Sequence, residues 1–211
     1  MARYESEQRL SILNAAVKVF AAKGWKGATI RALGRAARVN SALIYYYYEN
    51  KHTLFVECIR MVLKEFLEHL AKTRKPFRDA RARLEFLVDG ILDYYTAHPD
   101  RMRLMLLAFS MHPDLLGQAI EAVAGEEPLV PLQVIQEGME RGELMRAHPV
   151  QAWWSIMGLC LFNLHVKEVV PFIGEDRLPV PAFNLEERKG QIVDLLVDGS
   201  VLRGARKERR Q

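Results

Sequence analysis

The chain has only two cysteines in 211 residues, Cys58 and Cys160, and each falls inside an apolar helical pattern. Such a pair supplies neither a disulfide framework nor a set of zinc ligands, and a free thiol in that setting serves as a small hydrophobe. Long hydrophobic runs are also missing. The most apolar stretch, Ala152 to Leu164, falls short of the roughly 20 residues needed to span a bilayer. The opening MARYESEQRL lacks the cationic segment and the apolar run of about 7 to 15 residues that make a signal peptide, so a cytoplasmic protein without membrane contact is expected. There is no glycine-rich phosphate loop, no nucleophile motif, no paired metal ligands and no sustained alternating strand pattern. An enzyme, a cofactor and a metal are therefore not expected.

Half of the residues are hydrophobic, enough for a sizeable core, and the net charge of +4 is unevenly spread. Residues 1 to 75 carry 14 Lys and Arg against 6 Asp and Glu, whereas residues 76 to 202 carry 11 against 19. The last nine residues, Arg203 to Gln211, add five basic side chains and one acidic. This asymmetry implies a basic end that approaches a polyanion and an acidic body that does not.

The spacing of apolar residues is helical throughout. Leu10, Leu13, Val17 and Phe20 share one face of a first helix that Gly24 closes. Thr29 caps a second helix with Ile30, Leu33 and Ala37 on one side, and Asn40 caps a third that runs through Tyr45-Tyr46-Tyr47-Tyr48. Asn50 caps a long fourth helix in which Leu54, Cys58, Val62, Phe66 and Leu70 recur every fourth position until Pro76. Further helices are expected near 77 to 97, 100 to 111, 114 to 124, 130 to 141, 149 to 170 and 186 to 203, with irregular stretches at Gly125 to Pro128 and Pro171 to Asn184. Three His-Pro pairs, at His98, His112 and His148, place proline where a first helical turn tolerates it, so these histidines read as boundary residues and not as metal ligands. The fold class is all-α, with about nine helices.

Two helices joined by about three residues in the basic part of the chain have the form of a helix-turn-helix, whose second helix enters the major groove of DNA. Helical phase separates the four tyrosines. At about 100° per residue Tyr48 returns to the side of Ile44 and is a core ring, while Tyr46 points most nearly away from the core beside Ala42 and Leu43. Tyr45 and Tyr47 flank that outward face, where phenolic hydroxyls reach phosphates. The helix from 149 to 170 is apolar nearly all the way round, and the last helix carries two apolar stripes. Two over-apolar helices point to a homodimer built as a four-helix bundle, with Met157, Leu161, Ile192, Leu195, Leu196 and Gly199 at the interface.

The segment Ile12 to Phe55, ILNAAVKVFAAKGWKGATIRALGRAARVNSALIYYYYENKHTLF, about a fifth of the chain, closely resembles the N-terminal DNA-binding domain of the TetR family of bacterial transcriptional regulators. The matching elements are the first helix ending in Lys23-Gly24 and Trp25, then Thr29-Ile30-Arg31, Val39-Asn40-Ser41 at the turn, Ile44-Tyr45, Tyr48, and Asn50-Lys51 before Leu54. The resemblance implies a helix-turn-helix domain over 1–50, a connecting helix over 51–75, and a C-terminal all-helical ligand-binding and dimerisation domain over 76–211. It implies a ligand-responsive regulator, a repressor that binds a palindromic double-stranded DNA operator as a homodimer and is released by a small hydrophobic or aromatic effector. A constitutive or architectural DNA-binding protein without an effector is the alternative. Backbone contacts are implied for Thr29, Tyr45, Tyr47 and Lys51, and base contacts for Ser41, Ala42, Leu43 and, in some members, Arg31; Asn40 belongs to the same surface, as does Tyr46 by its phase. Arg31 is suited to guanine, and Ala42 and Leu43 offer apolar contact to thymine methyls. Release would follow from moving the fourth helix, which changes the separation of the recognition helices from the roughly 34 to 36 Å between successive half-sites. The effector-pocket candidates are Phe86, Tyr94, Met105, Phe109, Trp153, Phe162, Asn163 and His165, an apolar set with few polar anchors. Three positions depart from the family pattern: Arg38 and Ala42 stand where glycine is common, and His52 where an acidic residue is frequent.

Overall fold

The computed structural model describes residues 2–173 and 184–208. The interior of the expected irregular stretch Pro171 to Asn184 lies outside the described residues, as do the side chains of Leu202 and of the basic run Arg203 to Gln211. Among the described residues there are ten α-helices, one 3-10 turn and no strand, as the all-α expectation requires. None of the helices is long and apolar enough to cross a membrane. The helices are α1 (Ala2–Gly27), α2 (Ile30–Ala37), α3 (Ser41–Tyr48), α4 (Lys51–Thr73), α5 (Ala80–Ala97), α6 (Pro99–Met111), α7 (Pro113–Glu126), α8 (Val130–Glu140), α9 (Pro149–Val169) and α10 (Leu185–Glu208).

Local signals set most of these boundaries. Gly24 has φ 63° and ψ −177° and kinks α1 before its last turn, a conformation that glycine adopts without a Cβ penalty. α6, α7 and α9 each begin at the proline of a His-Pro pair, where the missing N–H costs no intrahelical bond.

The chain forms two compact units, residues 1–66 with 98–128, and residues 67–97 with 129–211. The first is larger than the contiguous segment 1–50 marked in the sequence, because α6 packs on α1 and carries α7 with it. Its core is Ile12, Val17 and Phe20 from α1, Leu33 from α2, Ile44 and Tyr48 from α3, and Leu54, Phe55, Cys58 and Ile59 from α4, all almost wholly buried. Charge pairs clamp α4 to the added helices. Arg101 makes a two-pronged contact with Glu65, Nε to Oε2 at 2.6 Å and Nη2 to Oε1 at 3.1 Å, and Arg60 and Lys64 both reach Glu126 at 2.7 Å.

In the second unit α5 is central, in contact with α8, α9 and α10. Leu87, Val88, Ile91 and Leu92 of α5 are buried, as are Val134 and Ile135 of α8, Cys160 and Leu164 of α9, and Ile192 and Val193 of α10. Lys189 of α10 reaches Asp93 of α5 at 2.7 Å, and Arg81 of α5 reaches Asp194 of α10 at 2.8 Å.

Candidate nucleic-acid interface

The helix-turn-helix is built by two side-chain caps. Thr29 Oγ1 accepts from the Ala32 N–H at 3.2 Å and opens α2; Asn40 Oδ1 accepts from the Leu43 N–H at 2.8 Å and opens α3. Each cap satisfies an orphan N–H and is worth about 1 kcal/mol. Between them Arg38 takes the left-handed conformation, φ 57° and ψ 38°, and the next N–H, that of Val39, donates to Gly34 O at 2.9 Å. Arginine in place of glycine there costs roughly 1 kcal/mol. Gly34 is tightly enclosed: a Cβ on it would lie 2.8 Å from the carbonyl oxygen of Val39.

Helical phase sorts Tyr46 and Tyr48 as the sequence predicts. Tyr48 is 1% exposed and its hydroxyl donates to Arg9 O at 3.0 Å, whereas Tyr46 is 77% exposed. Burial pushes the Tyr48 phenol up to about 12. Tyr45 is 52% exposed and Ala42 is exposed, with Ser41 and Leu43 half-buried. Thr29, Arg31, Asn40, Arg35 and Arg38 are exposed as well, so the outward face of the motif combines apolar groups with three guanidinium groups from α2 and the turn.

Tyr47 and Lys51 are held by the protein. The Tyr47 hydroxyl donates to Gln8 Oε1 at 3.0 Å, which ties α3 to α1. Lys51 Nζ donates to Trp25 O at 2.6 Å and lies 4.1 Å from the centroid of the Trp25 ring. Its ammonium is lowered from the usual lysine range by desolvation. The Trp25 ring also meets His112 at 4.4 Å and His52 at 4.9 Å, so the α6–α7 junction packs beside the start of α4. Sequence reasoning missed the part of α1 that borders this surface. Ser6 and Arg9 line a groove with Tyr46 and Tyr47, a contact across about 40 positions that no local spacing reports.

The remaining candidates fall in different places. Met105 and Phe109 belong to the first unit and the other six pocket candidates to the second. In the second unit Tyr94 is 4% exposed, near His69 at 5.7 Å, and Phe86 packs on Phe77 at 5.3 Å. Asn163 donates to Leu159 O and accepts from Arg188 Nε, each at 2.6 Å. Trp153 is half-buried, His165 is exposed and Phe162 is 68% exposed. An apolar groove of about 310 Å³ in this unit is lined by Leu84, Ile135, Met139, Leu144, Ile156 and Leu196, with Gln151 and Ser155 at its polar edge. Of the interface candidates, Leu161 and Ile192 are turned into the protomer's own core, Met157 and Leu196 are half-buried, and Leu195 and Gly199 are exposed. The exposed stripe of α9 is Trp154, Gly158, Phe162 and Val169, one to two turns apart.

An all-helical chain whose basic N-terminal unit presents a capped helix-turn-helix has the architecture of a DNA-binding regulator. The model of bacterial regulatory proteins of the tetR family matches residues 12–58. The chain is 32% identical over 168 residues to the transcriptional repressor NicS of Pseudomonas putida, covering 76% of this chain and 77% of that one. It is 33% identical over 148 residues to the repressor SCO4008 of Streptomyces coelicolor, covering 70% and 73%. Among solved structures, FadR of Bacillus subtilis in complex with stearoyl-CoA superposes with a TM-score of 0.71 at 17% identity, covering 90% of this chain and 98% of that one. FadR of Bacillus halodurans gives 0.69 at 19% identity, covering 90% and 94%. The chain belongs to the TetR family of transcriptional regulators. It is a regulator and not an enzyme.

Proposed function

We propose that the chain is a repressor that binds a palindromic operator as a homodimer and releases it when a small hydrophobic effector binds the C-terminal part. The observation that carries the reading is the division of α3 into a buried side, Ile44 and Tyr48, and an exposed side, Ala42, Tyr45 and Tyr46. A helix anchored on one side and bare on the other is what insertion into the major groove requires. Ser41, Ala42, Leu43 and Tyr46 read bases, with Arg31 at a guanine; Thr29, Asn40 and Tyr45 meet the backbone. Tyr47 and Lys51, held by Gln8 and Trp25, contribute to the same surface mainly by fixing α3 and α4 against α1.

The DNA-binding function is assigned to 1–50, the connection to 51–75 and the effector and dimer functions to 76–211. For the dimer, the exposed apolar side chains Trp154, Phe162 and Leu195 on α9 and α10, beside glycines at 158 and 199 where no atom lies within 4 Å of an added Cβ, support a bundle with a second copy. For the effector, the apolar groove of α5, α8, α9 and α10 supports a hydrophobic molecule.

Selection of duplexes from a random pool with the full chain tests the operator reading: a palindrome bound by two chains is expected, with at least one thymine whose replacement by uracil weakens binding. Stearoyl-CoA, with which the Bacillus subtilis FadR was crystallised, is a first probe for release. Unselective binding, or a half-site indifferent to uracil at every thymine, refutes the corresponding part.

A further inference from the structure

The second compact unit contains a groove of about 390 Å³ that neither the operator nor the effector reading uses; its lining includes Arg74, Lys75, Phe77, Arg83, Glu137 and Arg141. Four of these six are cations and one is a carboxylate. Both oxygens of Glu137 are engaged, Oε1 accepting from Arg74 Nη2 at 2.6 Å and Oε2 from Arg83 Nη1 at 3.2 Å. Glu143 Oε2 accepts from Arg83 Nε at 2.7 Å. Two carboxylates therefore offset two guanidinium groups, and Lys75 and Arg141 have no carboxylate partner among the described residues.

Arg83 makes this more than a patch of surface charge. It is 1% exposed, the most deeply buried ionic side chain among the described residues. Its Cζ lies 4.9 Å from the centroid of Phe77. A guanidinium has five N–H donors, and the two on Nη2 have no protein acceptor among the described residues. Nη2 is not among the fully buried side-chain nitrogens without a partner, so its N–H groups open onto the groove, where an anion can accept them. Gly138 keeps the arrangement open, since a Cβ there would come 3.1 Å from Arg83 Cδ and 2.7 Å from Leu144 Cδ1.

We infer that this groove binds a small oxyanion of the phosphate class, with Arg83 and Arg141 donating to its oxygens, Lys75 adding positive charge, and Phe77 packing against an attached apolar or planar group. Planar guanidinium forks match the oxygens of a phosphate, and the Phe77 wall favours an aromatic ester over the free anion. The site belongs to the second compact unit and the helix-turn-helix to the first, and it does not depend on the operator reading.

Calorimetric titration of the full chain with inorganic phosphate and, separately, with phenyl phosphate, at constant ionic strength in chloride, tests the inference. Saturable millimolar binding is expected, and Arg141→Gln and Lys75→Gln should each weaken it about fivefold. Arg78→Gln, which removes an exposed neighbouring cation paired with Asp79, should leave it unchanged. Tighter binding of phenyl phosphate identifies an ester as the ligand, equal binding identifies the free anion, and both support the site. Absence of saturable binding for both probes, or an equal loss with Arg78→Gln, overturns it.

Discussion

Replacing Gly34 by alanine sets helix propensity against a steric clash, and the structure says which one wins. Gly34 is buried in α2, five residues before Val39, whose carbonyl oxygen would lie 2.8 Å from the new Cβ, with Ser41 N at 3.7 Å. Helix propensity alone favours alanine by about 1 kcal/mol. The contact is with backbone, which has no rotamer to change, so overpacking should cost about 1 to 3 kcal/mol. The net change is a loss of up to about 2 kcal/mol after the propensity gain. Gly117 of α7 is the control, because it is helical, exposed and has no atom within 4 Å of an added Cβ. Gly117→Ala should gain about 1 kcal/mol, so the gap between the two variants isolates the clash. Urea unfolding curves measure that gap. The turn can relieve the contact only by shifting Val39 to Ser41, which carries the start of α3, so operator affinity should fall about tenfold or more in Gly34→Ala, or about 1.4 kcal/mol. A Gly34→Ala protein stabilised as much as Gly117→Ala, with unchanged operator affinity, would refute the reasoning.

Three further outcomes are expected. Tyr45→Phe should weaken binding to all operator variants alike, by about 1 kcal/mol for one lost hydrogen bond, while Tyr46→Ala should reduce discrimination between matched and mismatched duplexes by about 1 to 3 kcal/mol; indistinguishable behaviour in a binding titration would sink the division of roles. Leu195→Glu places a charge on an exposed position of α10, so the helix content should persist while light scattering reports monomers, the buried unpaired charges costing about 3 kcal/mol or more per dimer; a dimer of undiminished stability would count against the α9–α10 interface. The Asp89 carboxyl is raised above the usual range, chiefly by desolvation and against the pull of Lys189. The stability it contributes as a neutral acid is present below its unfolded pKa and lost as pH rises through its folded value. Asp89→Asn should therefore raise the melting temperature at neutral pH and lose that advantage near about pH 4, and a gain of equal size at both pH values would contradict the assignment.

Short-range chemistry made much of this protein legible before any coordinates. The caps at Thr29 and Asn40, the left-handed backbone at Gly24, the proline starts of α6, α7 and α9, and the burial of Tyr48 opposite Tyr46 all follow from hydrogen bonds and side-chain phases that span at most a few residues, although α1 resumes after Gly24 as far as Gly27 where the spacing closes it at Gly24. Those interactions belong to the backbone of one element and are written in its own sequence. What lay beyond reach involves partners far apart in the chain. Tyr47 had the right phase for a phosphate, but its hydroxyl meets Gln8 on another helix, and Lys51 settles on the carbonyl and ring of Trp25. The effector candidates form an apolar set, yet apolar character does not distinguish a buried Tyr94 from an exposed Phe162, since only the neighbours decide which face of a helix is covered. In the same way Leu161 and Ile192 turned inward while Leu195 stayed out. Arg83 is the clearest case: its sequence context is that of any charged helical residue, and its burial against Phe77, Glu137 and Glu143 exists only because α5, α8 and the turn after α8 close around it. The amino-acid sequence determined the helices, their caps and the faces they offer, because those depend on local periodicity; the tertiary structure decided which faces are used and which charges are left over, because that depends on what each face meets.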